Sequence, residues 1–274
     1  MENLLHQLQN TQIEILKVID KFCVENDIKY SLYAGTLLGA VRHKGFIPWD
    51  DDLDICMSRE NYNKFIELWT INAPEGYILQ NKENSPNFTQ SFTKIRKDHT
   101  TFLQDESEIG AYHTGIFVDV FPVDRLPNGK IKQLLFYWNG MKYQLFTREF
   151  VPPKANFIVK LVSKIILKTT SKTKRYEQRK KLLKKLTAYD NDSSLIAVTT
   201  ETLGAMKQHH KSDMLDHYIR LPFDGEEFMC FAGWNDHLKT KYGDYMQLPP
   251  ESERAWKHHP LIIDFEHNYE ELNL

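Results

Sequence analysis

Gly35-Thr36-Leu37-Leu38-Gly39-Ala40-Val41-Arg42, followed closely by Trp49-Asp50-Asp51-Asp52-Leu53-Asp54-Ile55, constrains this chain more than any other stretch. A short apolar run, residues 28–33, precedes the glycine and reads as a strand. Ala34-Gly35 turns the chain, and Thr36 is placed to cap a short helix ending at Arg42. Glycine lets a ligand approach the backbone, and the free N–H groups of a helix start favour an anion. A helix cap alone would account for the same residues.

The acids sharpen that reading. Side chains on a strand alternate faces, so Asp52 and Asp54 point together while Leu53 and Ile55 face the other way. Two adjacent carboxylates repel, and burying them unpaired is costly. A hard cation resolves both problems, and Mg²⁺ is commonly shared between carboxylates and substrate phosphates. Mn²⁺ would fit the same donors. The spacing also allows Asp50 with Asp52. The pair Asp52 and Asp54 is preferred because the apolar strand begins at Leu53, which leaves Asp50 and Asp51 to shape the loop or support the ligands.

Asp119 is the third acid of interest. It interrupts Gly115-Ile116-Phe117-Val118-Asp119-Val120-Phe121, which reads as a strand, where a charge needs a partner. It would complete the metal site or take the proton of an acceptor hydroxyl. Asp124 reads as a turn residue. Phosphoryl chemistry is largely positioning and charge stabilisation, so cations beside the acids matter. Arg42 is the first choice for phosphate, by its planar fork, and Lys44 the second. Trp49 would wall a nucleotide site or fill core. Among the histidines, His113 is a candidate for phosphate contact or proton transfer. The adjacent pairs His209-His210 and His258-His259 read as surface residues.

Along the chain, apolar spacing predicts a helix over residues 3–26 and one from Ser58 to about Trp69. Strands are expected at 77–81, 89–96 and 100–103, the last two as a hairpin around Lys97-Asp98. Residues 130–186 turn helical, broken at Pro152-Pro153. Weaker strands follow at 196–199 and 218–221, then a helix over 232–242. The expected fold class is α/β (α+β): one domain over residues 1–274, a mixed sheet flanked by helices, with a helical insertion at about 130–190. The 41% of apolar residues is enough for a sizeable core. The three cysteines, Cys23, Cys56 and Cys230, are too few and too scattered for a disulfide framework and read as buried thiols. The N-terminus has no secretory pattern, and no apolar run is long enough to span a bilayer, so the expected location is the cytosol.

The net charge of −2 hides an asymmetry: Lys154 to Lys185 holds twelve Lys or Arg against one acid, Glu177. Lys160, Lys164 and Lys168 form a stripe on a mostly apolar helix, the pattern of an interfacial helix on anionic lipid. A core helix with a solvated lysine face has the same spacing. Nucleic acid is not an expected partner, because no stacking motif accompanies the charge.

The long segment Gly35 to Ile55 resembles the signature of the LicD family of phosphotransferases. Gly115 to Asp124 resembles its second motif, and Lys241-Tyr242-Gly243-Asp244-Tyr245-Met246-Gln247-Leu248-Pro249-Pro250 its C-terminal motif. The resemblance implies a nucleotidyltransferase-like fold. It implies transfer of a phosphate-linked group from a CDP-activated donor to a sugar hydroxyl, typically phosphocholine from CDP-choline onto teichoic acid or lipopolysaccharide. Relatives, the fukutin group among them, move ribitol phosphate. Carried over by position, Asp52, Asp54 and Asp119 would hold Mg²⁺, while Gly35 and Thr36 line the phosphate site. Tyr242 and Asp244 would shape the pocket.

Choline would favour an aromatic cage, for which Tyr33, Trp49, Tyr112, Trp234, Tyr242 and Tyr245 are candidates. A lipid-linked glycan acceptor would give residues 154–185 a use at the inner face of the plasma membrane. The competing expectations are CDP-ribitol or CDP-glycerol as donor, a silent nucleotide-binding scaffold, and a nucleotidyltransferase that consumes a triphosphate.

Overall fold

Leu5, Leu8, Ile15, Leu16, Ile19, Phe22 and Cys23 recur at helical spacing and are all buried, which fixes the first helix and the face it turns inward. In a computed structural model, residues 2–153, 155–189 and 193–272 are described. The elements in chain order begin with α1 (Glu2–Glu25), β1 (Ser31–Leu32), α2 (Ala34–Arg42), β2 (Asp54–Ser58), α3 (Arg59–Asn72), β3 (Tyr77–Gln80), β4 (Thr93–Lys97), β5 (Thr101–Leu103) and β6 (Phe117–Arg125). They continue with α4 (Lys130–Arg148), α5 (Phe157–Thr169), α6 (Lys172–Leu186), β7 (Leu195–Val198), α7 (Leu203–Met206), β8 (His210–Lys211), β9 (Tyr218–Phe223), β10 (Glu226–Phe231), α8 (Trp234–Tyr242) and β11 (Ile262–Asp264). This is the α/β class expected, a sheet flanked by helices.

Among the described residues, one compact unit comprises the chain up to Asn87, Phe92–Pro122 and the chain from Asp213 onward. Its sheet runs β1-β2-β6-β4-β3. β4 pairs antiparallel with β6 so that Lys94 stands opposite Asp119. Ser58 caps α3 by accepting from the Asn61 N–H, as a serine before a helix should. The three cysteines are free and buried.

The second unit comprises Phe88–Ser91 and Val123–Ser212. Here the end of β6 pairs with β7, and β7 with β8. Phe136, Tyr137 and Phe146 of α4 pack with Leu182 and Leu186 of α6 and with Leu126, Ala197 and Met206. Asp124 is not a turn residue: it lies within β6, buried, and its carboxylate accepts the Thr199 hydroxyl.

Several local expectations need correction. Thr36 does not cap α2. The N-cap position is Tyr33, without a side-chain cap, and Thr36 sits inside the helix. The expected β4–β5 hairpin does not form. His99 takes φ 51°, and β5 pairs instead with β11, about 160 residues later. The strand expected at 218–221 is one arm of a hairpin whose partner is β10, a strand outside the sequence expectations. Its turn is Asp224-Gly225, with φ 49° and 82°, the left-handed pair that favours Asp-Gly in two-residue loops.

Candidate active site

The acidic turn is anchored from α1. Gln12 occupies a core-facing position of the apolar stripe, and its Nε2 donates to the Asp51 carbonyl at 3.0 Å. One turn earlier, Gln9 Nε2 donates to the Asp50 carbonyl at 2.8 Å. From the other side, the Asp54 N–H donates to Thr36 Oγ1 at 2.8 Å, and the Tyr33 N–H to the Asp54 carbonyl at 2.9 Å. The start of α2 and the start of β2 are therefore held together by hydrogen bonds. The Asp119 N–H completes the frame by donating to the Leu53 carbonyl at 2.9 Å.

Gly35 owes its place to Asp50 rather than to a turn. The left-handed residue is Ala34, with φ 47°. A Cβ on Gly35 would lie 2.6 Å from Asp50 Oδ2, so any other residue there displaces that carboxylate. The carboxylate thus rests against bare backbone in the first turn of α2.

One carboxylate oxygen from each of Asp50, Asp51 and Asp52 lies within 4.8 Å of the others. Burial first, and then the neighbouring Asp52, push Asp50 up to about 7. Asp51 goes the other way. Burial alone would raise it, but His258 donates its N–H to Oδ2 at 2.8 Å and places Nδ1 3.3 Å from Oδ1, holding the carboxyl below its usual range. The contact of the ring Nδ1 with Asp51 Oδ1 raises the proton affinity of His258. His258 is thus part of the cluster, not the surface residue expected, and it also lies 3.8 Å from Asp52. His209 is likewise engaged, with the Tyr137 hydroxyl.

Asp119 and Lys94 form a buried ion pair, Nζ to Oδ1 2.6 Å, with Lys94 also over the Phe117 ring. Burial drops Lys94 to about 8, against the pull of Asp119. Burial raises Asp119, against the pull of Lys94 and with the help of Asp52. Arg96, two residues on along β4, is buried and bonded to Gln80 and the Gly115 carbonyl. Neither cation was singled out in the sequence. Their i, i+2 spacing puts both on one face of β4, but only the β4–β6 register sets Lys94 opposite Asp119.

A cavity of about 560 Å³ opens beside Asp50, lined by Gly35, Arg42, Trp49, Tyr242 and Tyr245 among others. Arg42 Nη1 donates to the Tyr245 carbonyl at 2.9 Å, which ties the end of α2 to the C-terminal motif. That motif therefore forms one wall of the cavity. Lys44 is exposed, with φ 63°, and is not among the lining residues. Lys257 Nζ stands 3.9 Å from Asp50 Oδ1 at the rim. Tyr33 carries Lys241 over its ring, Tyr112 bonds Glu108, and His113 bridges Asp98 and the Gly115 N–H, all outside the cavity wall.

The donor set suits a hard divalent cation: clustered carboxylate oxygens with no sulfur, and a buried acid whose charge is held off by its neighbour. The arrangement joins a cation-ready acidic turn to a cavity with aromatic walls.

Residues 27–158 match the family described as LicD/FKTN/FKRP, nucleotidyltransferase domain, a span that includes Gly35, the acidic turn, Lys94 and Asp119. The lipopolysaccharide cholinephosphotransferase LicD of Haemophilus influenzae is 30% identical over 260 residues, 92% of this chain and 96% of that protein. Shorter similarities link the chain to uncharacterised proteins of Rickettsia typhi, 39% identical over 70 residues (26% of this chain, 23% of that protein), and Rickettsia prowazekii, 50% over 48 (18% of each). With the match to the Haemophilus protein running nearly end to end, this chain belongs to the LicD family.

Proposed function

We propose that the chain transfers phosphocholine from CDP-choline to a hydroxyl of a bacterial surface glycan precursor, lipopolysaccharide or teichoic acid. The observation that carries this reading is the continuity of the acidic turn, through Asp50, with a cavity walled by Trp49, Tyr242 and Tyr245. Asp244 and Glu253 also line it. Aromatic faces with nearby carboxylates suit a quaternary ammonium. The relative whose name states cholinephosphate transfer supports the same donor class.

Asp52 would hold Mg²⁺ or Mn²⁺ together with Asp54 and Asp119; the carboxylates whose oxygens already lie within 4.8 Å of one another are those of Asp50, Asp51 and Asp52, so Asp54 and Asp119 stand outside that cluster. Such a cation, when bound, supplies positive charge to the donor's diphosphate. The remaining work falls to the chain. The backbone around Gly35 and Thr36 and the guanidinium of Arg42 orient the phosphates, with Lys44 a more distant cation. The acceptor oxygen forms its bond to the β-phosphorus as the bridging P–O bond breaks, and the electron pair leaves with CMP. Asp119, its charge balanced by Lys94, takes the hydroxyl proton or completes the ligand set.

Thermal unfolding with CDP-choline, CDP-ribitol, CDP-glycerol or CTP, each with and without Mg²⁺, tests donor choice, because a bound donor raises the midpoint. CDP-choline with Mg²⁺ should give the largest shift. An equal or larger shift with a CDP-polyol or CTP would overturn the reading.

A further inference from the structure

Helix α5 is apolar on two sides, and its own unit uses only one. Ile166 and Leu167 pack against the cluster of Phe136, Tyr137, Leu182 and Leu186, and Ser163 is buried beside them. On the opposite side Phe157, Ile158, Leu161, Val162 and Ile165 are exposed, Phe157 by 78% and Ile158 by 71%. Helix α4 repeats the pattern at i, i+3, i+4, i+7: Ile131, Leu134, Leu135 and Trp138 all face solvent. A helix that is apolar on its outward side as well is covered by something in use.

The charge around these faces narrows what covers them. Lys160, Lys164 and Lys168 flank the α5 face, all exposed, and α6 exposes Lys172, Lys174, Lys180, Lys181, Lys184 and Lys185. Lys154, the first cation of the basic run, lies outside the described residues. A second copy of the chain docking isologously would set this concentrated positive charge against itself. Nucleic acid would satisfy the lysines but leave the apolar side chains in water. An anionic bilayer satisfies both: its headgroups meet the lysines, and the boundary of its acyl region takes up Phe157, Ile158, Leu161 and Ile165.

We infer that this α5 face, with its flanking Lys160, Lys164 and Lys168, docks on an anionic lipid surface. None of these residues belongs to the acidic cluster or the cavity, so the inference stands or falls apart from the proposed reaction.

Flotation of the full chain with phosphatidylcholine vesicles, with and without about 30% phosphatidylglycerol, tests it. Binding should be at least about tenfold stronger to the anionic vesicles and should weaken in about 0.5 M salt. Ile158→Glu/Ile165→Glu and Lys160→Glu/Lys164→Glu/Lys168→Glu should each lower binding about tenfold or more with the unfolding midpoint unchanged, since every replaced side chain is exposed. Equal binding to neutral and anionic vesicles, no flotation with either, or full binding by both variants would overturn the inference. So would a stable dimer that Ile158→Glu/Ile165→Glu dissolves, or an acidic protein held on this face in place of lipid.

Discussion

Lys94 Nζ and Asp119 Oδ1 meet at 2.6 Å across the β4–β6 ladder, both residues buried. Two charges drawn out of water in this way stabilise little relative to apolar replacements, whereas removing one partner strands the other. Lys94→Met should therefore cost about 3–5 kcal/mol in a denaturant titration. The double variant Lys94→Met/Asp119→Leu should recover most of that stability and none of the transferase activity. Recovered turnover in the double variant would make the pair purely structural.

The acidic turn should leave a mark on the pH dependence of stability. Asp50 holds its proton up to about 7 when folded, against about 3.9 for an unperturbed carboxyl. The folded state thus binds more protons between those values, and stability falls as pH rises through them. His258, whose proton affinity is also raised, contributes below about pH 6.5 and loses that contribution as pH climbs through its folded value. Lys94, lowered to about 8, has the opposite sign but acts only above that pH. In the metal-free chain the unfolding free energy should drop between pH 5 and pH 8 by about 3 kcal/mol from Asp50, the equivalent of the two units of its shift that fall in that window. Asp50→Asn should flatten the curve. Millimolar Mg²⁺ should restore more stability at pH 8 than at pH 5, since a cation held by Asp52 disfavours the proton on the neighbouring Asp50 and offsets their repulsion once both are ionised. A midpoint that rises over this range would contradict the electrostatics of the site.

The cavity wall should discriminate among donors. If Trp49 and Tyr245 face the quaternary ammonium, Trp49→Ala and Tyr245→Ala should each raise KM for CDP-choline by about 2- to 30-fold, equivalent to about 0.5–2 kcal/mol. The effect on CDP-glycerol, which has no cation to lose, should be smaller. Arg254 already lies 5.4 Å from the Trp49 ring centroid, so the larger loss is expected at Tyr245. Equal effects on both donors would assign these rings to the nucleotide.

The features set by neighbours in sequence are legible in it. The α1 stripe, the Ser58 cap, the apolar strand around Asp119 and the helical stretch from 130 to 186 all depend on neighbours in sequence. The misses are long-range. His258 meets Asp51 across about 200 residues, and β11 reaches β5 across about 160, so nothing beside either residue announces its partner. Lys94 looks like a solvent-facing charge until the register places it opposite Asp119. Two signals were present and passed over. Gln12 interrupts an apolar stripe between Leu8 and Ile15, where a polar residue must have a partner inside. Asp224-Gly225 between apolar runs marks a hairpin. At Gly35 the glycine lies against the Asp50 carboxylate, while the left-handed backbone falls on Ala34.

The central claim is that the acids at the start of β2 drive transfer from a CDP-activated donor. The most direct measurement is CMP released from CDP-choline in the presence of a glycan acceptor, by the unaltered chain and by Asp54→Asn, with folding checked by thermal midpoint. The unaltered chain should release CMP in step with acceptor phosphorylcholination. Asp54→Asn should stay folded and lose about 10³-fold or more of that rate, as expected when a group acting at the charged centre is removed. Undiminished CMP release by the folded variant would contradict the account.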